Sequence, residues 1–170
     1  MRLDCERCVV RDWTPADKRS LVRHADNRKV WRNLTHRFPH PYTAADADFW
    51  LARVTSMTQP THWAIEVDGE AVGAVGVEVG EGVYARSGRF GYWLAEPYWG
   101  RGIMTAAVQG ATQYAFAHIG VDRLEAGVFE WNPASMRILE KCGFTREGVL
   151  RRSIFKDGEL IDSVLYARVR

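Results

Sequence analysis

The stretch that decides the fold is residues 92–105, which read YWLAEPYWGRGIMT. A strand-like run ends at Leu94, a short turn follows, and Gly100 and Gly102 stand directly before a segment with helical periodicity. The first backbone N–H groups of a helix lack partners within the helix and carry the positive end of its dipole. Glycines let a bulky anion approach such groups closely. The stretch therefore predicts a phosphate-binding turn, and a glycine-rich turn without a ligand remains the alternative.

Two familiar phosphate motifs do not fit this stretch. A P-loop is excluded because no Gly-Lys-Ser/Thr follows the glycines. The dinucleotide fingerprint G-x-G-x-x-G fails because Thr105 occupies the third glycine position. Glu125 falls on the next strand, about where a ribose-binding acid belongs, which keeps a nicotinamide enzyme as an alternative. Only one clear βαβ crossover is expected, however, and Glu125 is better explained as an exposed strand residue or an ion-pair partner.

Outward from this stretch, apolar periodicity and turn residues predict the order β-α-α-β-β-β-α-β-α-β-β. Thr14, Thr43 and Asn132 are placed to cap three of the helices. The helix after residue 102 lies between two strand-like runs and predicts at least one parallel crossover. These elements indicate an α+β domain with a mixed sheet. The strand-like runs cover residues 7–11, 62–67, 71–79, 88–94, 123–129, 144–154 and 160–169.

Length and composition limit the class of protein. The 170 residues suit one domain, which we expect to cover residues 1–170. Apolar residues make up 46 % and charged residues 26 % of the chain, which excludes a disordered or collagen-like protein. The net charge of +2 argues against duplex DNA or an anionic membrane as a partner. No apolar run approaches the about 20 residues of a membrane span, so we expect a cytoplasmic protein.

Three cysteines, Cys5, Cys8 and Cys142, do not form a disulfide framework, and their odd number suits a reducing compartment. Cys5 and Cys8 form a C-x-x-C motif. On one strand this odd spacing would direct the two side chains to opposite faces. No second Cys/His pair follows at ligand spacing. We therefore expect neither a zinc site nor a thiol-redox site at this motif.

The 92–105 stretch and its flanking motifs resemble the GNAT superfamily of N-acetyltransferases, and most closely its RimJ/RimL-like branch. The resemblance covers nearly the whole chain. Each motif is modest, but their ordered combination is specific. The flanking motifs are Arg-Asn-Leu at 32–34, Phe-Pro-His-Pro-Tyr-Thr at 38–43, Asp-Gly-Glu-Ala-Val-Gly at 68–73, Gly-Tyr-Trp-Leu at 91–94, Asn-Pro-Ala-Ser at 132–135 and Glu-Lys-Cys-Gly-Phe-Thr-Arg-Glu-Gly at 140–148.

The resemblance implies an α+β fold with a mixed, mostly antiparallel central sheet and helices on both faces. It also implies acetyl-CoA as the acetyl donor and coenzyme A as a product. In the family, the strand before the turn pairs with the pantetheine arm, and the matching residues are Trp93, Leu94 and Ala95. Trp99 either packs on the cofactor or is a turn residue that covers the core. The amides expected to hold the pyrophosphate belong to Gly100, Arg101, Gly102, Ile103, Met104 and Thr105.

The helix that opens at Asn132 carries the implied catalytic group. Asn132 suits a helix cap, and in the family the same residue also hydrogen-bonds the pantetheine arm. Ser135 is either a second capping hydroxyl or, as the resemblance implies, the general acid for the departing CoA thiolate. Other superfamily members place a Tyr one turn further along, where this chain has Leu139, which cannot donate.

The general base is not supplied by the resemblance. Some family members offer a Glu nineteen residues after the serine, where this chain has Ile154. A Lys or an N-terminal amine is mostly protonated at pH 7, so a base or a water chain must take its proton. The alternatives are a water relay or one of four carboxylates, Glu78, Glu96, Glu130 and Glu147.

The irregular segment 33–42 is the expected acceptor wall, because it lies over the reactive end of the cofactor in the family fold. The candidates within it are Asn33, Phe38, His40 and Tyr42. His36 and His40 have no ligating partners at a suitable spacing, so we expect no metal.

The resulting prediction is a monomeric or homodimeric N-acetyltransferase that uses acetyl-CoA. Its acceptor would be the primary amine of a protein N-terminus, a peptide or a small molecule. A non-catalytic CoA-binding or sensor module on the same fold is the alternative, motivated by Ile154 at the family's glutamate position.

Overall fold

The computed structural model describes residues 1–170 and contains eight strands and five α-helices. The strands are β1 (Arg2–Cys5), β2 (Cys8–Arg11), β3 (His62–Val67), β4 (Glu70–Val79), β5 (Ser87–Leu94), β6 (Arg123–Phe129), β7 (Thr145–Lys156) and β8 (Glu159–Val169). The α-helices are α1 (Lys18–Ala25), α2 (Arg28–Trp31), α3 (Ala44–Thr55), α4 (Ile103–Tyr114) and α5 (Pro133–Lys141). Short 3₁₀ turns cover Pro15–Asp17, Gly82–Tyr84 and Glu96–Tyr98, and α4 continues as a π-helix over Ala115–Ile119.

The strands form one sheet in the order β1-β2-β3-β4-β5-β6-β8-β7. The β5–β6 pair is parallel, with Ser87 opposite Arg123 and Arg89 opposite Glu125. The pairs β1–β2, β2–β3, β3–β4, β6–β8 and β7–β8 are antiparallel. The predicted α+β fold with a mixed, mostly antiparallel sheet is confirmed, and the crossover through α4 accounts for the parallel pair.

The predicted helix starts are set by local capping. Thr43 accepts a hydrogen bond from the Asp46 backbone N–H, while the Asp46 carboxylate accepts from the Thr43 N–H, so two otherwise unpaired donors are satisfied. Behind this cap, Ala47, Leu51 and Val54 are buried, and the partly buried Trp50 packs against the same core. Thr14 opens a 3₁₀ turn that leads into α1.

The expectation of a single first strand over residues 7–11 was wrong. Residues 2–11 form a hairpin, in which Glu6 and Arg7 make the turn between β1 and β2. Cys5 and Cys8 are therefore register partners on adjacent strands. The alternation rule fails here because the chain reverses direction between the two residues, and cross-strand partners share a face of the sheet.

The chain divides into two compact units, residues 1–76 with 92–111 and residues 77–91 with 112–170. In the first unit, α1 and α3 contribute Leu21, Ala25, Leu51 and Val54 to a core that also contains Trp13. None of the helices combines the length and apolar character needed to cross a membrane.

In the second unit, Leu124, Leu139 and Tyr166 are almost fully buried. The rings of Phe90 and Phe144 pack there with their centroids 5.8 Å apart. This packing holds β5 against the segment that connects α5 to β7.

Candidate active site

The turn before α4 contains two glycines in the left-handed conformation. Gly100 and Gly102 adopt φ angles of +74° and +75°, a region that L-residues with side chains rarely occupy. The first backbone bond of α4 runs from the Ala106 N–H to the Gly102 carbonyl at 3.1 Å. The amides of Ile103 and Met104 therefore lie in the first turn, at the positive end of the helix dipole. This arrangement can bind an anion through aimed backbone groups.

Side chains on both sides hold this turn in place. The Trp99 indole N–H donates to the Leu94 carbonyl at 2.7 Å, although the residue is 43 % exposed. Trp99 thus lies against the end of β5 rather than covering the core. Arg101 places its guanidinium 5.4 Å from the centre of the Tyr98 ring. Arg7 reaches the turn from the β1–β2 hairpin and donates to the Arg101 carbonyl at 3.4 Å.

The backbone after β5 has one donor already used within the protein. The Ala95 N–H donates to the Val72 carbonyl at 2.8 Å, which ties this segment to β4. Neighbouring residues of an extended strand direct their backbone groups to opposite sides. Leu94 therefore directs its groups away from β4, and its carbonyl on that side accepts the Trp99 indole N–H.

β4 and β5 approach closely at this point because position 73 lacks a side chain. A Cβ on Gly73 would lie 2.4 Å from the Trp93 carbonyl oxygen. A glycine is required at this point, because backbone atoms on the opposing strand cannot move aside as the end of a flexible side chain can.

Asn132 and Ser135 belong to the second unit and occupy the start of α5. The Asn132 Oδ1 accepts from the Ser135 backbone N–H at 3.2 Å, and Pro133 takes the first helical position. The cap uses one end of the Asn132 side chain and leaves its Nδ2 as a donor. Ser135 is half-buried, whereas Leu139, one turn later, is fully buried and apolar.

Glu96, Glu147 and Glu130 each have a defined hydrogen-bond partner. Hydrogen bonds from Lys29 and Asn27 lower the pKa of Glu96, and the Arg123 guanidinium lowers the pKa of Glu147. A lowered pKa makes a carboxylate a weaker proton acceptor. Glu130 accepts the Asp162 backbone N–H at 2.9 Å.

Glu78 is the fourth candidate, and it is half-buried on β4. Ile154, at the position where some family members have a glutamate, is half-buried on β7 opposite Ile161. Glu125 lies 3.4 Å from Arg123, which confirms its interpretation as an ion-pair partner.

The 33–42 loop is organised by aromatic rings. The Phe38 ring lies 5.1 Å from the Tyr42 ring and 5.5 Å from the Trp93 ring, measured between centroids. Phe38 thereby connects the loop to the end of β5. Tyr42 is only 6 % exposed, and burial raises the pKa of its hydroxyl. Tyr42 therefore supports the Phe38 ring from the interior.

A carboxylate that sequence reasoning missed orders the rest of this loop. Asp26 accepts the Tyr42 backbone N–H at 3.0 Å and lies 3.4 Å from His40 Nδ1. The His40 ring also packs on Trp31 with centroids 5.7 Å apart. The Asn33 side chain donates to the Lys29 carbonyl at 2.9 Å. No local signal marks Asp26, because its partners are distant in sequence.

Comparisons with known proteins identify the class of protein to which this fold and its glycine turn belong. A family model described as "Acetyltransferase (GNAT) domain" matches residues 7–145. The uncharacterized N-acetyltransferase YoaA of Bacillus subtilis is 32 % identical over 171 residues, covering 99 % of this chain and 96 % of that protein. The chain therefore belongs to the GNAT acetyltransferase family.

Two further comparisons support this membership. The probable N-acetyltransferase YjcK of Bacillus subtilis is 46 % identical over 68 residues, but that match covers 40 % of this chain and 38 % of YjcK. A solved structure of Mycobacterium smegmatis RimJ in complex with CoA-disulfide is 26 % identical, with a TM-score of 0.86. It covers 99 % of this chain and 87 % of that one, so the predicted likeness to the RimJ/RimL branch is confirmed.

Proposed function

We propose that this protein transfers the acetyl group of acetyl-CoA directly to a primary amine of a protein N-terminus, a peptide or a small molecule. The observation that carries the proposal is the pair of left-handed glycines, Gly100 and Gly102, at the start of α4. That turn presents backbone donors at a helix N-terminus, which suits a pyrophosphate. Membership of the GNAT family supports the same cofactor.

In this proposal the cofactor is held mostly by backbone groups. The amides of residues 100–105 bind the pyrophosphate, and the backbone at Trp93, Leu94 and Ala95 receives the pantetheine arm. The Ala95 N–H supports this arrangement by holding the segment to β4. Asn132 contributes its Nδ2 to the arm, and Trp99 borders the cofactor.

The proposed chemistry is a direct transfer without an acetylated protein intermediate. A neutral amine attacks the thioester carbonyl carbon, so a C–N bond forms and the C–S bond breaks. Ser135 gives a proton to the departing thiolate and recovers one from solvent. The amine proton passes to a water chain or to one of the four carboxylates, Glu78, Glu96, Glu130 and Glu147. Basic partners lower the pKa of Glu96 and Glu147, which makes these two the weaker proton acceptors.

We also propose that residues 1–170 act as one catalytic domain, with the 33–42 loop as the acceptor wall. Asn33, Phe38, His40 and Tyr42 form or support that wall. The free thiols of Cys5, Cys8 and Cys142 support a cytoplasmic location, because such thiols suit a reducing compartment. The protein is expected to be a monomer or a homodimer.

Free-thiol release from acetyl-CoA, measured against a panel of amines, tests the proposal. The Ser135→Ala variant should lower kcat by about 10²-fold or more with little change in the CoA dissociation constant. Ser56→Ala is the matched control, because its exposed hydroxyl only bonds the Arg53 carbonyl. CoA binding without release with any amine would instead favour the non-catalytic module, which Ile154 at the family's glutamate position motivates.

A further inference from the structure

The β1–β2 hairpin brings the two cysteines of the C-x-x-C motif together. Cys5 and Cys8 are register partners on either side of the turn. Side chains of such partners share a face, with Cβ atoms about 4.5–5.5 Å apart. A disulfide requires Cβ atoms about 3.5–4.5 Å apart. Closing a bond between them therefore needs only a small approach, and the resulting strain makes the bond easy to reduce.

The two sulfurs are suited to different steps of thiol–disulfide exchange. Cys5 is half-exposed, and a hydrogen bond from Cys8 lowers the pKa of its thiol to about 7. Cys8 is buried, and both the hydrogen bond to Cys5 and burial raise the pKa of its thiol. Cys5 is thus accessible and readily ionised, which suits an attacking nucleophile, while Cys8 is placed to resolve the intermediate.

We propose that Cys5 and Cys8 form a reversible intramolecular disulfide by exchange with low-molecular-weight disulfides, and that this bond loosens the glycine turn before α4. The Cys5 thiolate attacks one sulfur of the disulfide RSSR, forms a mixed disulfide and releases RS⁻. Cys8 then loses its proton to solvent and attacks the Cys5 sulfur, which releases the second RS⁻. The two cysteines are oxidised, RSSR is reduced to two thiols, and excess thiol reverses the exchange.

Direct contacts connect this pair to the turn. Cys8 Sγ lies 3.8 Å from the Ile103 carbonyl oxygen, and its single S–H donates to that oxygen while Cys5 is protonated and to the Cys5 sulfur once Cys5 has ionised. Arg7, in the hairpin turn, donates to the Arg101 carbonyl. The Arg7 side chain also packs on Gly102, since a Cβ at position 102 would lie 3.1 Å from the Arg7 Cδ. A disulfide has no S–H, so the Ile103 carbonyl loses its donor. The effect on CoA affinity rests on the proposed function, because it assumes that this turn holds the pyrophosphate.

Glycine at position 110 also accommodates the pair on α4. A Cβ at Gly110 would lie 2.9 Å from Cys5 Sγ, so the sulfur packs directly on the helix backbone. A movement of Cys5 toward Cys8 therefore changes packing on the same helix whose first turn is expected to bind the cofactor.

Incubation of the reduced protein with glutathione disulfide tests the exchange. The intact protein should lose two hydrogen atoms by mass spectrometry, and titration of the denatured protein should find one free thiol instead of three. Dithiothreitol should restore all three. A persistent glutathione adduct, or three unchanged thiols, would overturn the proposed disulfide.

Single variants separate the two steps. In Cys8→Ala, Cys5 should retain bound glutathione because no resolving thiol is present, whereas Cys142→Ala should form the internal disulfide as the wild type does. A Cys8→Ala protein that is folded by circular dichroism yet collects no adduct at Cys5 would contradict the assigned order of attack. The wild-type mass and thiol titration keep the test decisive if that variant does not fold.

CoA titration by calorimetry tests the coupling to the turn. Oxidation should weaken CoA binding by about two- to fivefold in the wild type, the amount that one modest hydrogen bond provides, and should leave Cys5→Ser unchanged. Equal affinity of the oxidised and reduced forms would overturn the coupling. A reduced protein that binds no CoA would refute the proposed function instead, while the disulfide would still be decided by mass and thiol count.

Discussion

The ion-pair network around Arg11 provides the sharpest test of what holds the first unit together. Arg11 donates to both Asp17 carboxylate oxygens at 2.8 and 2.7 Å and also bonds Glu66. Asp17 in turn accepts the Thr14 backbone N–H at 2.9 Å. One guanidinium therefore fixes β2, β3 and the entry into α1. We predict that Arg11→Met, which keeps the apolar stem but removes the charge, is strongly destabilising.

The magnitude follows from the burial of the network. The side chains of Arg11, Asp17 and Glu66 are 14 %, 8 % and 17 % exposed. Removing one partner of a buried pair costs about 3–5 kcal/mol. Residual hydration favours the lower end, so we expect a loss of about 3 kcal/mol, or a fall in Tm of about 6–12 °C. Urea unfolding should show this loss as a lower midpoint with an unchanged slope.

Arg86→Met is the matched control, because Arg86 bonds Asp122 at 2.7 Å but both side chains are about half exposed or more. An exposed pair contributes at most about 1 kcal/mol. If Arg11→Met costs no more than Arg86→Met, the argument from burial is refuted.

The network also predicts a dependence on pH. Burial alone would raise the pKa of Asp17, but hydrogen bonds from Arg11 and Thr14 outweigh it and leave that pKa lowered. An Asp with a lowered folded-state pKa stabilises the fold above its unfolded value of about 3.9, and this contribution is lost as pH falls through the folded value. The stability difference between wild type and Arg11→Met should therefore narrow below about pH 4. A difference that is constant down to pH 2 would contradict this assignment.

Two glycine predictions concern the neighbourhood of the proposed cofactor site. Gly73→Ala should cost about 1–3 kcal/mol in urea unfolding, because its Cβ would meet the Trp93 carbonyl at 2.4 Å, whereas Gly91→Ala, with open space, should stay within about 0.5 kcal/mol. Equal losses at the two positions would exclude the close approach as the cause. Gly102→Ala places a side chain at a φ of +75°, and Gly69→Ala places one at +79°. Each variant should lose about 1–2 kcal/mol of unfolding free energy. Only Gly102→Ala should weaken CoA binding in calorimetry, and a similar weakening in Gly69→Ala would count against the assigned turn.

Features set by neighbouring residues were predictable from sequence. The Asp68-Gly69 pair marks the β3–β4 turn, since both residues adopt a positive φ that this dipeptide tolerates. The Thr43 cap and the glycines before α4 are equally local. The exact bounds of the 62–67 and 123–129 strands follow from apolar runs that end at turn residues.

Features that depend on distant partners were not predictable. The Glu6-Arg7 turn has neither glycine nor asparagine, so nothing local marks the reversal that pairs Cys5 with Cys8. Helix α2 is one turn long, too short for a periodic signal. Its cap, Asn27, also donates to Glu96 at 2.9 Å, a contact across 69 positions of sequence. Packing decides such contacts, and a single sequence does not display it.

The ring contacts of Phe38 with Tyr42 and Trp93 have a consequence for how acceptor preference changes. The loop is already ordered on folding, so an acceptor need not supply the about 0.5–1.5 kcal/mol that immobilising each loose side chain would cost. If this loop is the acceptor wall, as proposed, selectivity would depend on the shape of a fixed wall rather than on loop length. Replacing Phe38 with a smaller apolar residue would make room for bulkier amines. The same change would remove ring contacts with Tyr42 and Trp93 that hold the loop in one conformation.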